Sequence, residues 1–271
     1  MKQTKMVRAL VESAMMIAFA TVLSLLKIIE LPYGGSVTMA SMLPVIILSF
    51  RHGIGWGLGS GVAYAALQQL LGLNTLSYVT GWQSVVAIIL LDYIAAFTVV
   101  GLGGVFRRAF RSQRGALVTG ALFASLLRYI CHVISGATVW AGLSIPDEAA
   151  LIYSLSYNLT YMLPEAIILT TVAYYLGGVI DFTKETPIRV TSQRTQESTA
   201  SLGILSGLSF LLGIIVDVTL LAPHLQSEES GEFSFTGLAD VSWIAVAIVS
   251  AVAFITGVSL LVYIRMKRKK S

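Results

Sequence analysis

The chain has 271 residues, 56% of them hydrophobic and only 12% charged, with a mean hydropathy of +0.81. Soluble domains carry about a quarter charged residues, so there is too little charge here to coat a water-facing surface, and the expected solvent is lipid. The single cysteine, Cys131, excludes an intramolecular disulfide and a cysteine metal cluster.

Met1 to Arg8 is basic, and the apolar run from Ala9 to about Ile29 is long enough to span, since roughly 20 residues cross a bilayer. No small-residue cleavage site closes it, so it reads as a first transmembrane helix and not as a removed signal. Further apolar segments cover about 37–50 (short), 53–72, 82–106, 115–137 and 150–180. A polar linker, Asp181 to Thr199, interrupts the pattern before segments at about 200–223 and 241–264. The segments are continuously apolar and do not alternate, which selects helices over a barrel. The expected fold is an all-α integral membrane protein of eight helices. Residues 1–180 form a six-helix unit, 181–199 a cytoplasmic linker, and 200–271 a two-helix appendage. No internal repeat is visible, which argues against an inverted-repeat carrier.

Charge sets the orientation. Basic residues cluster at Lys2, Lys5 and Arg8; at Arg51; at Arg107, Arg108, Arg111 and Arg114; at Lys184, Arg189 and Arg194; and from Arg265 to Lys270. With eight helices all of these fall on one side, and of 18 Lys and Arg residues only Lys27 and Arg128 are left out. The opposite loops carry Glu30, Asp147, Glu148, Glu228, Glu229, Glu232 and Asp240. The positive-inside rule therefore places both termini in the cytoplasm of a multi-pass bacterial membrane protein. Topology thus accounts for the basic pI, and the tail 265–270 reads as a stop-transfer anchor beside anionic lipid; no nucleic-acid partner is expected.

Motifs of soluble chemistry are missing. There is no G-x-x-x-x-G-K-[ST] loop, no H-E-x-x-H and no G-x-S-x-G. His52, His132 and His224 lie in different segments, so no metal centre, cofactor or catalytic group is expected. Gly101, Gly103 and Gly104 sit in an apolar helix end and read as packing glycines.

Ionisable and amide groups at bilayer depth are costly and mark function or a partner. They are Glu12, Asp92, Arg128, His132, Asn158, Glu165 and Asp217. Arg128 and His132 are four residues apart and share one helix face, which Gly136 and Trp140 continue outward. A cation, an imidazole, a gap and an indole in one row suit a polar aromatic ligand entering from outside. The structural alternatives are an Arg128–Asp92 ion pair and a satisfied core histidine. In the sixth helix Tyr153, Tyr157 and Tyr161 recur at four-residue spacing, and the last two read as membrane-interface anchors. Tyr153 and Asn158 are about 140° apart on an ideal helix, so both face one pocket only if the helix start is irregular or the ligand lies across a groove. Glu165, after Pro164, reads equally as a site or as a helix–helix hydrogen bond. Glu12 reaches toward the cytoplasmic interface, and Asp217 suggests no role.

The row Leu127-Arg-Tyr-Ile-Cys-His132-Val-Ile-Ser-Gly136-Ala-Thr-Val-Trp140, followed by Tyr153-Ser-Leu-Ser-Tyr-Asn158, resembles the signature of thiamine-specific substrate-binding (S) components of energy-coupling factor transporters. Leu31-Pro-Tyr-Gly-Gly35-Ser36, Ser49-Phe-Arg51-His-Gly53 and Asp92-Tyr93 are similar to further family motifs in the same order, over about 7–180. The resemblance implies a six-helix binding protein with a pocket near the outer face and the loop 31–36 as its lid. It implies high-affinity thiamine binding without ATP, energised by a module of two ATPases and one transmembrane coupling subunit. Asp92, His132, Trp140, Tyr153 and Asn158 fall on ligand-contacting positions, with Tyr93 and Arg128 beside them. Ala14 and Ala18 fall on the small-xxx-small face that docks the coupling subunit. The chain departs from the family in having aspartate at 92 where glutamate is usual, Gly35 where some members have a lid tryptophan, Trp82 where tyrosine is common, and two extra C-terminal helices.

The residues suit thiamine on chemical grounds as well. Its thiazolium is permanently cationic, and aromatic faces attract cations by about 0.5–2 kcal/mol each. A carboxylate accepts the pyrimidine amino hydrogens and offsets the charge. The other readings are an S component for another vitamin, a stand-alone secondary carrier using Asp92 with His132, and an intramembrane enzyme using Asp92, His132 and Glu165.

Overall fold

The computed structural model describes residues 2–31, 34–79, 81–110, 112–140, 150–190 and 236–270, with scattered positions between 202 and 224. The protein is helical, and among the described residues five helices are long and apolar enough to cross a membrane: Gln3–Leu25, Trp82–Arg108, Gln113–Thr138, Ala150–Val179 and Trp243–Ile264. It is an all-α integral membrane protein. Two compact units, Met1–Val190 and Thr191–Ser271, divide the chain.

The first unit opens with α1 (Lys2–Leu25), which ends earlier than its apolar run suggests. The run continues as β1 (Lys27–Glu30), paired antiparallel with β2 (Ser36–Thr38), so that Lys27 faces Thr38 and Glu30 faces Ser36. Gly34, at φ +100°, helps to turn the chain back. Leu31 N–H donates to the Gly35 carbonyl at 2.7 Å and closes the loop. Hydropathy alone reads both strands as helix, because β-branched apolar residues serve either state when the run is short. For the same reason the second helix begins at Leu43 and not near 37.

That helix, α2 (Leu43–His52), has proline in its first turn, where no N–H is needed. Its residues Leu43 to Phe50 are all buried. Ten residues rise only about 15 Å, so α2 is a core element and does not cross the bilayer by itself. Gly53, at φ +97°, separates it from α3 (Ile54–Leu71). A 3-10 segment, Leu73–Tyr78, follows.

The span Trp82–Arg108 is not a uniform helix. It runs through α4 (Trp82–Ile88), a π-helical stretch Ile89–Ala95, α5 (Ala96–Thr98) and a 3-10 stretch Val99–Arg108. Its glycines pack as expected. A Cβ on Gly101 would sit 2.3 Å from the Gly57 carbonyl oxygen, and one on Gly120 would sit 1.9 Å from that of Gly103. Backbones thus touch where lipid supplies no competing hydrophobic drive. Ser49 bridges the same crossing, with its hydroxyl donating to the Gly101 carbonyl at 2.5 Å and accepting from Gly104 N–H at 3.1 Å. The long helices α6 (Gln113–Thr138) and α7 (Ala150–Val179) pack along each other. The Ser112 side chain caps α6 by accepting from Gly115 N–H.

At the end of the unit opposite the β1–β2 ribbon, a second small ribbon pairs β3 (Ile180–Asp181) with β4 (Ile188–Arg189). Glu12 accepts from Arg51 and pairs with His52 at 2.9 Å, so it reaches toward the basic end but binds α2 there. Arg51 also donates to the carbonyls of Phe182 (2.7 Å) and Lys184 (3.1 Å). The Asp181 carboxyl is held below the usual range by the Thr183 hydroxyl and N–H that donate to it.

In the second unit, α8 (Trp243–Lys270) follows a 3-10 turn at Thr236–Asp240. The expected helix over 200–223 lies largely outside the described residues, and the positions described within it are helical. Asp217 accepts from Ser250 at 2.5 Å, and Ser206 donates to the Gly257 carbonyl at 2.9 Å. The acidic loop residues Asp147, Glu148, Glu228, Glu229 and Glu232, with Arg111 and Arg194, lie outside the described residues.

Candidate functional site

A cavity of about 450 Å³ opens at the β1–β2 end of the first unit, within the roughly 300–1,000 Å³ of small-molecule sites. Its wall is drawn from α1, the ribbon, α3 and its 3-10 extension, the π-helical stretch, α5, α6 and α7. Asp92, Tyr93, Arg128, His132, Trp140, Tyr153 and Asn158 all line it. Ala14 and Ala18 do not; they are exposed on α1.

Asp92 is the polar centre. His132 Nδ1 lies 2.9 Å from Oδ1, while the Ser135 hydroxyl (2.6 Å) and the Trp140 indole N–H (3.2 Å) both donate to Oδ2. Both oxygens of Asp92 are thus engaged by side chains from α6 and from Trp140 just beyond it. Asp92 sits in the π-helical stretch, where a widened turn is common at functional sites, and neighbouring Tyr93 reaches the same cavity. The Tyr93 hydroxyl donates to the Gly72 carbonyl at 3.0 Å. The other ring nitrogen of His132, Nε2, is buried without a protein partner.

Arg128 pairs with Glu165 and not with Asp92, the acid that the structural alternative named. Its Nη1 lies 2.7 Å from Glu165 Oε2, and its guanidinium carbon lies 4.5 Å from the Phe97 ring centroid. Glu165, 1% exposed, also accepts from Thr38 at 2.6 Å. An Arg128–Asp92 pair is therefore not formed: Glu165 on α7 is the nearer acid, and Asp92 is occupied by α6 donors. Glu165 is a helix–helix link, and Thr38 ties the ribbon to it.

The tyrosines also correct the sequence reading. Tyr157 and Tyr161 are not interface anchors; both line the cavity, and Tyr161 is buried. Tyr153 and Tyr157 stack with ring centroids 6.1 Å apart, and Tyr157 meets Tyr161 edge-on at 5.8 Å. Four-residue spacing, which puts all three on one face of α7, was the available signal. Asn158 faces the cavity despite its angle from Tyr153, because the cavity spans a wide arc of α7. Its Oδ1 accepts from Tyr161 (2.6 Å) and its Nδ2 donates to the Ser154 carbonyl (2.8 Å). Close approach of α6 and α7 helps to set this wall: a Cβ on Gly136 would lie 2.2 Å from Ser154 Oγ. Gly35 N–H, in turn, meets the Tyr157 hydroxyl at 3.3 Å and brings the ribbon onto the tyrosines.

The lining holds two ion pairs. Lys27 and Glu30 pair at 2.5 Å, and Arg128 is neutralised by Glu165. Asp92 and His132 face each other at 2.9 Å among aromatic rings. Such a cavity can hold a flat, singly cationic molecule that also offers an N–H donor. Among the described residues no three His, Cys, Asp or Glu side chains are grouped to hold a metal.

The chain is 37% identical over 179 residues to "Thiamine transporter ThiT" of Bacillus subtilis (strain 168), covering 62% of this chain and 89% of that protein. It is 27% identical over 187 residues to "Uncharacterized protein YybS" of the same organism, covering 68% of this chain and 51% of that protein. A family model described as "Thiamine transporter protein" matches residues 10–185, more than half of the sequence, and the chain belongs to that family.

Proposed function

We propose that the cavity binds thiamine and that the chain is the high-affinity substrate-binding subunit of an energy-coupling factor transporter. The observation that carries the reading is the acidic side chain of Asp92, set among aromatic rings in a cavity whose Lys27 and Arg128 are paired with Glu30 and Glu165. Thiamine is a flat monocation, so its charge complements the lining. Its exocyclic amine donates to Asp92, while Trp140 and the Tyr153–Tyr157–Tyr161 column face the rings. Tyr93, Arg128 and Asn158 hold this lining in place.

The chain brings no nucleotide-binding loop of its own, so energy comes from a separate module of two ATPases and one transmembrane coupling subunit. Ala14 and Ala18, exposed on α1, offer the flat surface on which that subunit docks. The clustering of Lys and Arg along the sequence supports cytoplasmic termini and, with the first unit's basic residues at the end away from its cavity, a cavity that opens outside. Residues 1–180 carry binding, and 200–271 form an appendage joined by the linker 181–199. Calorimetry of the purified full-length protein tests the reading: thiamine binds without ATP, and a protein that binds no thiamine refutes it.

A further inference from the structure

The cavity extends well beyond Asp92. Under the ribbon its wall is made by Ser24, Lys27, Glu30, Gln68 and Thr75. Lys27 is notable because it and Arg128 are the basic residues that stand apart from the basic end of the chain. Arg128 is buried against Glu165 and cannot exchange its partner cheaply. Lys27 can: its Nζ lies 2.5 Å from Glu30 Oε1, and the two side chains are 42% and 64% exposed.

We propose that the Lys27–Glu30 pair makes the cavity discriminate between the free alcohol and its phosphate esters, with Glu30 as the residue that rejects the phosphate. The proposal rests on the thiamine reading. When the pyrimidine is held at Asp92 and His132, the cationic ring and its hydroxyethyl arm extend toward the ribbon lobe. A phosphoryl group on that arm carries about −1.5 to −2 charges at neutral pH. It meets a cavity whose lining already includes the acidic side chains of Asp92 and Glu30. Lys27 can compensate the phosphate only by leaving Glu30, and Glu30 then stands as an unpaired carboxylate beside it. Glu30 thus opposes esters twice, by holding Lys27 and by repulsion, while it favours the cationic alcohol. Its place in β1, opposite Ser36, keeps it at the cavity wall.

The test is titration of the purified full-length protein with thiamine, thiamine monophosphate and thiamine diphosphate, for wild type, Glu30→Gln and Lys27→Gln. Glu30→Gln is expected to raise monophosphate affinity relative to thiamine by roughly threefold to tenfold, the range for partly exposed charges. Lys27→Gln is expected to lower it. Both shifts should shrink in high salt, which screens exposed charges. Glu185→Gln, an exposed carboxylate near the basic end, should leave the ratio unchanged. A wild-type ratio in Glu30→Gln, with thiamine binding intact, overturns this proposal and leaves the reading of the cavity standing. Failure of the wild type to bind thiamine overturns that reading and the proposal with it.

Discussion

Replacing Asp92 by asparagine separates ligand recognition from folding. Asp92 has three protein partners, at 2.9, 2.6 and 3.2 Å, and also lines the cavity, where it meets a ligand. At an effective dielectric near 20, unit charges about 4 Å apart attract by about 4 kcal/mol, and a lost hydrogen bond to a charged group costs about 1.5–3 kcal/mol. Because the protein donors already share the charge, the lower range applies. Thiamine affinity should fall roughly tenfold to a hundredfold, since about 1.4 kcal/mol is one decade. The protein without ligand should melt within a few degrees of wild type: an amide oxygen keeps some of the donors, and Arg128 is not stranded because its partner is Glu165. Glu165→Gln is the contrasting change. It leaves a buried guanidinium without its counter-ion and should destabilise the protein by about 3–5 kcal/mol. Calorimetry with thiamine and thermal melts in detergent, on both variants, read the two effects. An Asp92→Asn protein that folds and binds thiamine as tightly as wild type would refute the reasoning.

Gly136→Ala should lower stability by about 1–3 kcal/mol, the usual cost of overpacking, because its methyl meets Ser154; adding Ser154→Ala should recover part of the melting temperature. Cysteines introduced in a Cys131→Ser background should react with an impermeant reagent from outside at Ser77 and not at Lys184, and the opposite pattern would invert the orientation. Ala14→Trp or Ala18→Trp should abolish uptake in cells while thiamine binding by the purified protein stays within about twofold, since a docking face needs small residues and the cavity lies elsewhere. A parallel loss of binding would make α1 part of the core. Truncation after Thr199 should leave a folded protein that still binds thiamine, because Met1–Val190 is a compact unit in its own right; a truncated chain that cannot bind would show that the appendage completes the site.

The class of this protein, its membrane helices and the identity of its polar intramembrane residues were legible in the sequence, because each depends on local chemistry. Long apolar runs must be helical in lipid, and Asp92, Arg128, His132, Asn158 and Glu165 stand out there by their cost. The four-residue step from Arg128 to His132 predicted a shared face, and both line the cavity. Other features needed the tertiary structure. Whether Arg128 pairs with Asp92 or with Glu165 depends on which helices are neighbours, and no spacing along one helix reports that. The runs at Lys27–Glu30 and Ser36–Thr38 became strands because the chain turns back between them and pairs its own backbone, which hydropathy does not register. Tyr157 and Tyr161 looked like interface anchors because a tyrosine near a helix end suits a membrane face and a cavity wall equally well. Only the packing of α7 against α6 and the ribbon turns those rings inward, toward the cavity that Asp92 also lines.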